Sequence, residues 1–264
     1  AYPTDSKRCE VGVQKAIVVA GGGPYASNFL WEATERMAEL SIKTLKSQGI
    51  AEEHIYYLSA GFGDAVAPDG PATADAVRSA ILEWTQAGNP ADDVLIYLVD
   101  HGGFEIFELG KKAQLDAKDL DSWLDELQGL LPGQLTVVYD ACQSGSFVPV
   151  LRPDADQDRL VLTSSGSKER AHFAARGDVS FSFHFWSNFL IGGDIYRSFV
   201  AGDEAMRAIF NRRQNAEIEA DGDGVANAKG DKALAREFSF GQGIALASDV
   251  PAIGDVSDTI FLDG

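Results

Sequence analysis

Two apolar runs each end in a reactive side chain. Val94 to Val99 leads into Asp100-His101-Gly102-Gly103, and Leu135 to Tyr139 leads into Asp140-Ala141-Cys142-Gln143-Ser144-Gly145. A continuous β-branched and apolar run reads as a parallel strand buried on both faces, and open α/β sheets place their chemistry at the strand carboxyl ends. His101 and Cys142 are 142 − 101 = 41 residues apart, enough for one crossover between parallel strands. Both reactive ends can then open on one edge, which predicts a Cys/His site. Taken singly, Cys142 reads as a buried structural thiol and His101 as a satisfied strand-end histidine. The pair in these contexts argues for a nucleophile and its acid/base.

The two strings resemble those of the caspase-like cysteine peptidases (clan CD), above all the legumain-type C13 family with its His-Gly and Glu/Asp-Ala-Cys-x-Ser-Gly. Metacaspases carry a similar Asp-x-Cys-x-Ser-Gly. The resemblance covers about residues 15–215. It implies a caspase-like three-layer α/β/α sandwich with a mostly parallel central sheet, and a cysteine endopeptidase. In that chemistry Cys142 attacks the peptide carbonyl, His101 protonates the leaving amine, and the backbone N–H groups of Gly102 and Cys142 hold the oxyanion.

The same resemblance assigns substrate contacts. The family has an Asn two residues before an Arg, the Asn orienting the catalytic His and the Arg binding the substrate side chain. Here Asn28 keeps the first role, while Leu30 stands where the Arg should be; Asn28 also reads as an ordinary helix cap. Asp140 matches an acid that lines the S1 pocket. Without a balancing Arg, that carboxylate is expected to favour Arg or Lys at P1, ahead of Asn or Asp. Ser180-Phe181-Ser182 resembles the strand that forms a pocket wall, so Ser180 and Ser182 are expected to bind substrate through their backbone. An ordinary structural role for Asp140, accepting N–H bonds at the strand end, is the competing reading.

The order of elements supports a doubly wound sheet. Strands are expected at Lys15–Ala20, His54–Leu58, Val94–Val99, Leu135–Tyr139 and Arg159–Thr163. Helical spacing runs from Leu30 to about Gln48, through Val77, Ile81 and Trp84 after a Thr73 cap, through Leu120 to Leu127, and from Ile195 to Ile209. Phe104 to Lys112 reads as a hairpin beside the site. Gly21-Gly22-Gly23 lacks the G-x-G-x-x-G of a dinucleotide fold and, by the resemblance, flanks the active site. His54, His172 and His184 have no metal-ligand spacing and read as structural. Residues 1–14 read as a lead-in, 15–237 as the peptidase domain, and 238–264 as an exit toward a further domain. With Ala1 in place of Met, this suggests a piece of a longer multidomain chain.

Forty acidic residues against 22 basic give a net charge of −18, spread along the chain. Such a surface repels phosphate backbones and anionic lipid, which disfavours nucleic acid and membrane partners. The expected partner is a polypeptide substrate, including this chain itself by cleavage at Arg152 or Arg176. No run of apolar residues is long enough to span a bilayer. The two cysteines, Cys9 and Cys142, fix no compartment, and no cofactor is expected. One acidic stretch, Glu219 to Asn227, resembles a calcium loop, with Asp221, Asp223 and Asn227 as candidate ligands. It departs from the D-x-[DN]-x-[DN]-G pattern at Glu219 and has Gly230 at position twelve; a solvated acidic turn is the competing reading. A transamidase using the same acyl-enzyme, and a noncatalytic binding or adhesion module of this fold, are the alternative functions.

Overall fold

The apolar runs form the inner strands of one sheet, as their composition requires. A computed structural model describes residues 12–61, 66–153 and 157–241. In chain order the larger elements are β1 Gln14–Ala20, α1 Trp31–Ser47, β2 Ile55–Ser59, β3 Gly70–Pro71, α2 Ala74–Leu82 and β4 Asp93–Val99. A small antiparallel sheet follows, of β5 Gly102–Gly103, β6 Ile106–Gly110 and β7 Ala113–Asp116, and then α3 Ala117–Gln128 and β8 Leu135–Asp140. The chain closes with β9 Arg159–Thr163, α4 Phe181–Leu190, α5 Ile195–Ile209, β10 Glu217–Glu219 and α6 Lys229–Leu234.

The main sheet has seven strands in the order β10-β9-β8-β4-β1-β2-β3. All its pairings are parallel except β10 on β9. Alternation along each strand divides the core. Val18, Tyr97, Val138 and Leu162 face the layer of α1, α4 and α5, while Ile17, Ile96, Val137 and Val161 face α2 and α3. Helix starts are fixed by side chains that accept otherwise orphaned N–H groups: Thr73 takes that of Ala76, Asp116 that of Lys118, and Asp194 that of Arg197. This is the expected three-layer α/β/α sandwich with a mostly parallel central sheet. β4 and β8 lie side by side, with Val99 opposite Asp140, so their reactive ends leave the same edge.

Two expectations are corrected. Ser180-Phe181-Ser182 is not a strand: Ser180 caps α4 by accepting from the N–H of Phe183. Phe181, Phe185 and Phe189 recur at i, i+4 and i+8 and are all buried, so packing of a helical stripe overrides the β preference of isolated aromatics. Trp84 is not part of a helix face, because α2 ends at Leu82 and Trp84–Gln86 is a separate 3-10 turn. The carbonyls of Trp84, Thr85 and Ala87 instead converge on the buried ammonium of Lys15. The strand order also includes β10, whose Glu-Ile-Glu stretch carries no legible strand pattern. No helix among the described residues is long and apolar enough to cross a membrane. Cys9 and most of residues 1–14 and 238–264 lie outside the described residues.

Candidate active site

His101 follows β4 and is held by a closed set of hydrogen bonds. Its Nε2 lies 3.0 Å from Asn28 Oδ1. The Asn28 amide is itself oriented, because Nδ2 donates to the Gly23 carbonyl at 3.1 Å and to Asp100 Oδ2 at 3.5 Å. Oδ1 must therefore face the imidazole as an acceptor, which puts the ring proton on Nε2 and leaves Nδ1 unprotonated in the neutral ring. The same Oδ1 accepts the N–H of Leu30 at the start of α1, so Asn28 is both a helix-start acceptor and the histidine's neighbour.

Asp100 anchors this network from below. It accepts the N–H of His101 and the hydroxyl of Thr34, both at 2.6 Å. Burial pushes its carboxyl up, and those hydrogen bonds together with the charge of His101 oppose the rise. Gly22, at φ +70°, lets the backbone pass against this carboxylate where a Cβ would collide with it.

Cys142 sits one residue beyond Ala141 on the adjacent strand end and is half-buried, its Sγ 3.8 Å from the carbonyl of Ala171. Gln143 behind it adopts a left-handed backbone with φ 59°. Its N–H donates to the Glu169 carbonyl, that of Gly145 to the Ser165 carbonyl, and the Ser165 hydroxyl to the Ala141 carbonyl. The cysteine turn is thus pinned to the loop that leaves β9. Gly102 packs so closely on Ala141 and the Cys142 carbonyl, 2.8 Å from where its Cβ would stand, that a side chain has no room.

A cleft of about 420 Å3 opens over these residues, lined by Leu30, His101, Cys142, Arg170, His172 and Phe210 among others. Asn28, Leu30, His101 and Cys142 therefore come together as expected. Asp140, Ser180 and Ser182 do not line it. Asp140 has no exposed surface; it accepts the Ser182 N–H at 3.0 Å and the Ser182 hydroxyl at 2.5 Å. Its other oxygen and the hydroxyl of neighbouring Ser164 face each other without a well-formed hydrogen bond. Burial raises the Asp140 carboxyl, against the opposing pull of Ser164 and Ser182. The expectation that Asp140 reaches into the pocket is corrected: the α4 N-terminus covers it, because Ser180 and Ser182 belong to a buried helix start and not to a pocket strand.

The wall that sequence reasoning missed is Arg170 to Ala174, an irregular segment after β9. It carries no periodicity, yet its place was available from topology, since every loop at the carboxyl end of a parallel strand faces the site. His172, read as structural, belongs to this wall: its ring stacks on Phe210 at 4.2 Å and its Nδ1 lies 3.1 Å from Gln214 Oε1. Arg176 is exposed beyond the wall, its Nη1 3.4 Å from Glu32. Glu219, Asp221 and Asp223 gather away from the cleft, while the Asn227 amide donates to the Ala216 carbonyl.

The Peptidase C13 family model matches residues 81–188, the span that holds both His101 and Cys142. No curated protein matches the chain. Among solved structures, caspase-1 from Spodoptera frugiperda superposes with a TM-score of 0.56 over 79% of this chain and 86% of that one, at 12% identity. That likeness shows the fold. The family match and the fold together support a caspase-like clan CD cysteine peptidase related to the C13 family, acting on polypeptides.

Proposed function

From a caspase-like cysteine peptidase related to C13 as premise, we propose an endopeptidase that works through an acyl-enzyme on Cys142 and prefers Arg or Lys at P1, with Asn and Asp next. The Cys142 thiol passes its proton to Nδ1 of His101, the sulfur attacks the scissile carbonyl carbon, and the developing oxyanion is held by the N–H groups of Gly102 and Cys142. As the C–N bond breaks, His101 delivers a proton to the leaving amine. Water then adds to the thioester, His101 takes its proton, and the C–S bond breaks to release the acid. Asn28 positions His101 with Nδ1 free for this traffic.

The observation that carries the P1 preference is the charge under the cleft. Asp100 and Asp140 end adjacent strands, both buried, and no ion pair among the described residues supplies either with a basic partner. Of the residues on the cleft wall, Leu30 brings no cation and Arg170 makes no ion pair with either carboxylate. A Lys or Arg side chain lowered toward these carboxylates provides the missing charge. Asp140 acts through its field at short range, not by lining the pocket.

A panel of fluorogenic peptides with P1 Arg, Lys, Asn and Asp, run on the wild type and on Cys142→Ala, tests both parts. Turnover of the basic peptides that disappears in the variant is expected. Turnover that persists in Cys142→Ala removes the nucleophile assignment, and dominant Asn or Asp cleavage removes the P1 assignment.

A further inference from the structure

We propose that the turn between β10 and α6 is a calcium site built on the carboxylates of Glu219, Asp221 and Asp223. Each offers an oxygen, and these oxygens lie within 4.8 Å of one another. Alternate residues supply them because Gly222 and Gly224, at φ +76° and +77°, wind the chain around one point. The spacing is that of a calcium loop, acids at every second position followed by Gly224.

An exposed acidic cluster alone would mean nothing; Glu219 makes the difference. It is 1% exposed, its Oε1 accepts the N–H of Gly222 at 2.6 Å, and its Oε2 has no partner at all. A buried, unpaired carboxylate oxygen is costly unless a cation meets it. No ion pair among the described residues joins a basic side chain to any of the three acids. The stem of Arg152 packs on Gly224.

The fourth acid, Asp231, has another task. It is fully buried and accepts the N–H groups of Ala220, Asp221 and Ala228, fixing the turn's backbone from behind. The turn is thus pre-shaped, and only its inward oxygens await a ligand. Three hard oxygen donors suit calcium; magnesium demands a tighter octahedron, and zinc favours nitrogen and sulfur. Two residues before Glu219, Glu217 packs against Gly145 and Gly166, in the loops that hold the Cys142 turn. Filling the site therefore braces the edge strand behind the cleft.

The test is calcium titration by calorimetry, and thermal unfolding in EDTA, calcium or magnesium, on the wild type, Asp221→Asn and Asp223→Asn. Both substituted residues are exposed, so the variants should fold. One calcium per chain, a rise in Tm of roughly 5 °C at saturating calcium with less from magnesium, and at least tenfold weaker binding in both variants are expected. Equal Tm in EDTA and calcium, an equal response to magnesium, or a calcium isotherm untouched by both substitutions would overturn the proposal.

Discussion

The two ends of the main sheet bury charge in opposite ways. At the amino ends of its strands stand two buried cations, each closed off by partners. Lys15 Nζ donates to three carbonyls at 2.9–3.1 Å and stands 5.1 Å from the Trp84 ring centroid. Arg159 donates to Gln128 at 2.6 Å, Asp121 at 3.0 Å and Asp125 at 2.6 Å. At the carboxyl ends, Asp100 and Asp140 are met by hydroxyls, an amide and N–H groups, and one Asp140 oxygen has no well-formed hydrogen bond. One end is electrostatically closed and serves stability. The other is left open, and the cleft is built over it.

The largest effect that sharpens this contrast is loss of the nucleophile. Cys142→Ala is expected to lower kcat by at least about 10³-fold with the Tm nearly unchanged, measured on the preferred peptide. The closed end should respond the other way. Arg159→Met leaves Asp121, Asp125 and Gln128 without their shared donor, and denaturant unfolding should show a loss of about 3 kcal/mol. The ratio of Arg to Asn turnover should not move; a change in it would break the division of labour between the two ends.

Asn28→Ala removes the fixed acceptor of His101. We expect kcat to fall by about 10- to 100-fold with KM less affected, since the substrate does not bind through this amide. A fall in KM-dependent terms alone would assign Asn28 to binding.

Asp140→Asn gives the smallest and most discriminating change. The asparagine can still accept from Ser182 and can donate to the Ser164 hydroxyl, so stability near pH 7 should hold or rise. Because burial raises the folded-state carboxyl above its ordinary 3.8, the folded wild type holds the proton more tightly than the unfolded chain. Its stability from this group is present below about 3.8 and is lost as pH rises through the raised value. The variant should therefore gain on the wild type across that window in pH-dependent unfolding. Preference for Arg or Lys over neutral P1 residues should drop about tenfold.

The contrast also explains what was legible in the sequence. Strands buried on both faces announce themselves as apolar runs, and the two reactive strings stand at their ends, so the sheet, its handed edge and the His101–Cys142 pairing were readable. Helix α5 was readable from Ile195 to Ile209, and the structure adds Asp194 as its cap. Ser180-Phe181-Ser182 was read as a pocket-wall strand from the family resemblance, and a helix buried all round shows little polar face; the i, i+4, i+8 spacing of Phe181, Phe185 and Phe189 was the better signal. Asp140 was read as a pocket acid from its place beside Cys142, but one residue along a strand turns a side chain from the edge to the core, and sequence does not say which helix start will cover it. Arg170 to Ala174 had no pattern to read, since an extended wall held by tertiary contacts needs none.

The central claim is that the two buried carboxylates beneath the cleft, neither joined to a Lys or Arg, select a positive P1 charge. It is tested most directly by comparing kcat/KM for two peptides that differ only at P1, Arg against its neutral isostere citrulline. The account predicts at least about a tenfold preference for Arg, the worth of one charge-assisted contact. Equal turnover of the two peptides, or faster cleavage after citrulline, would contradict it.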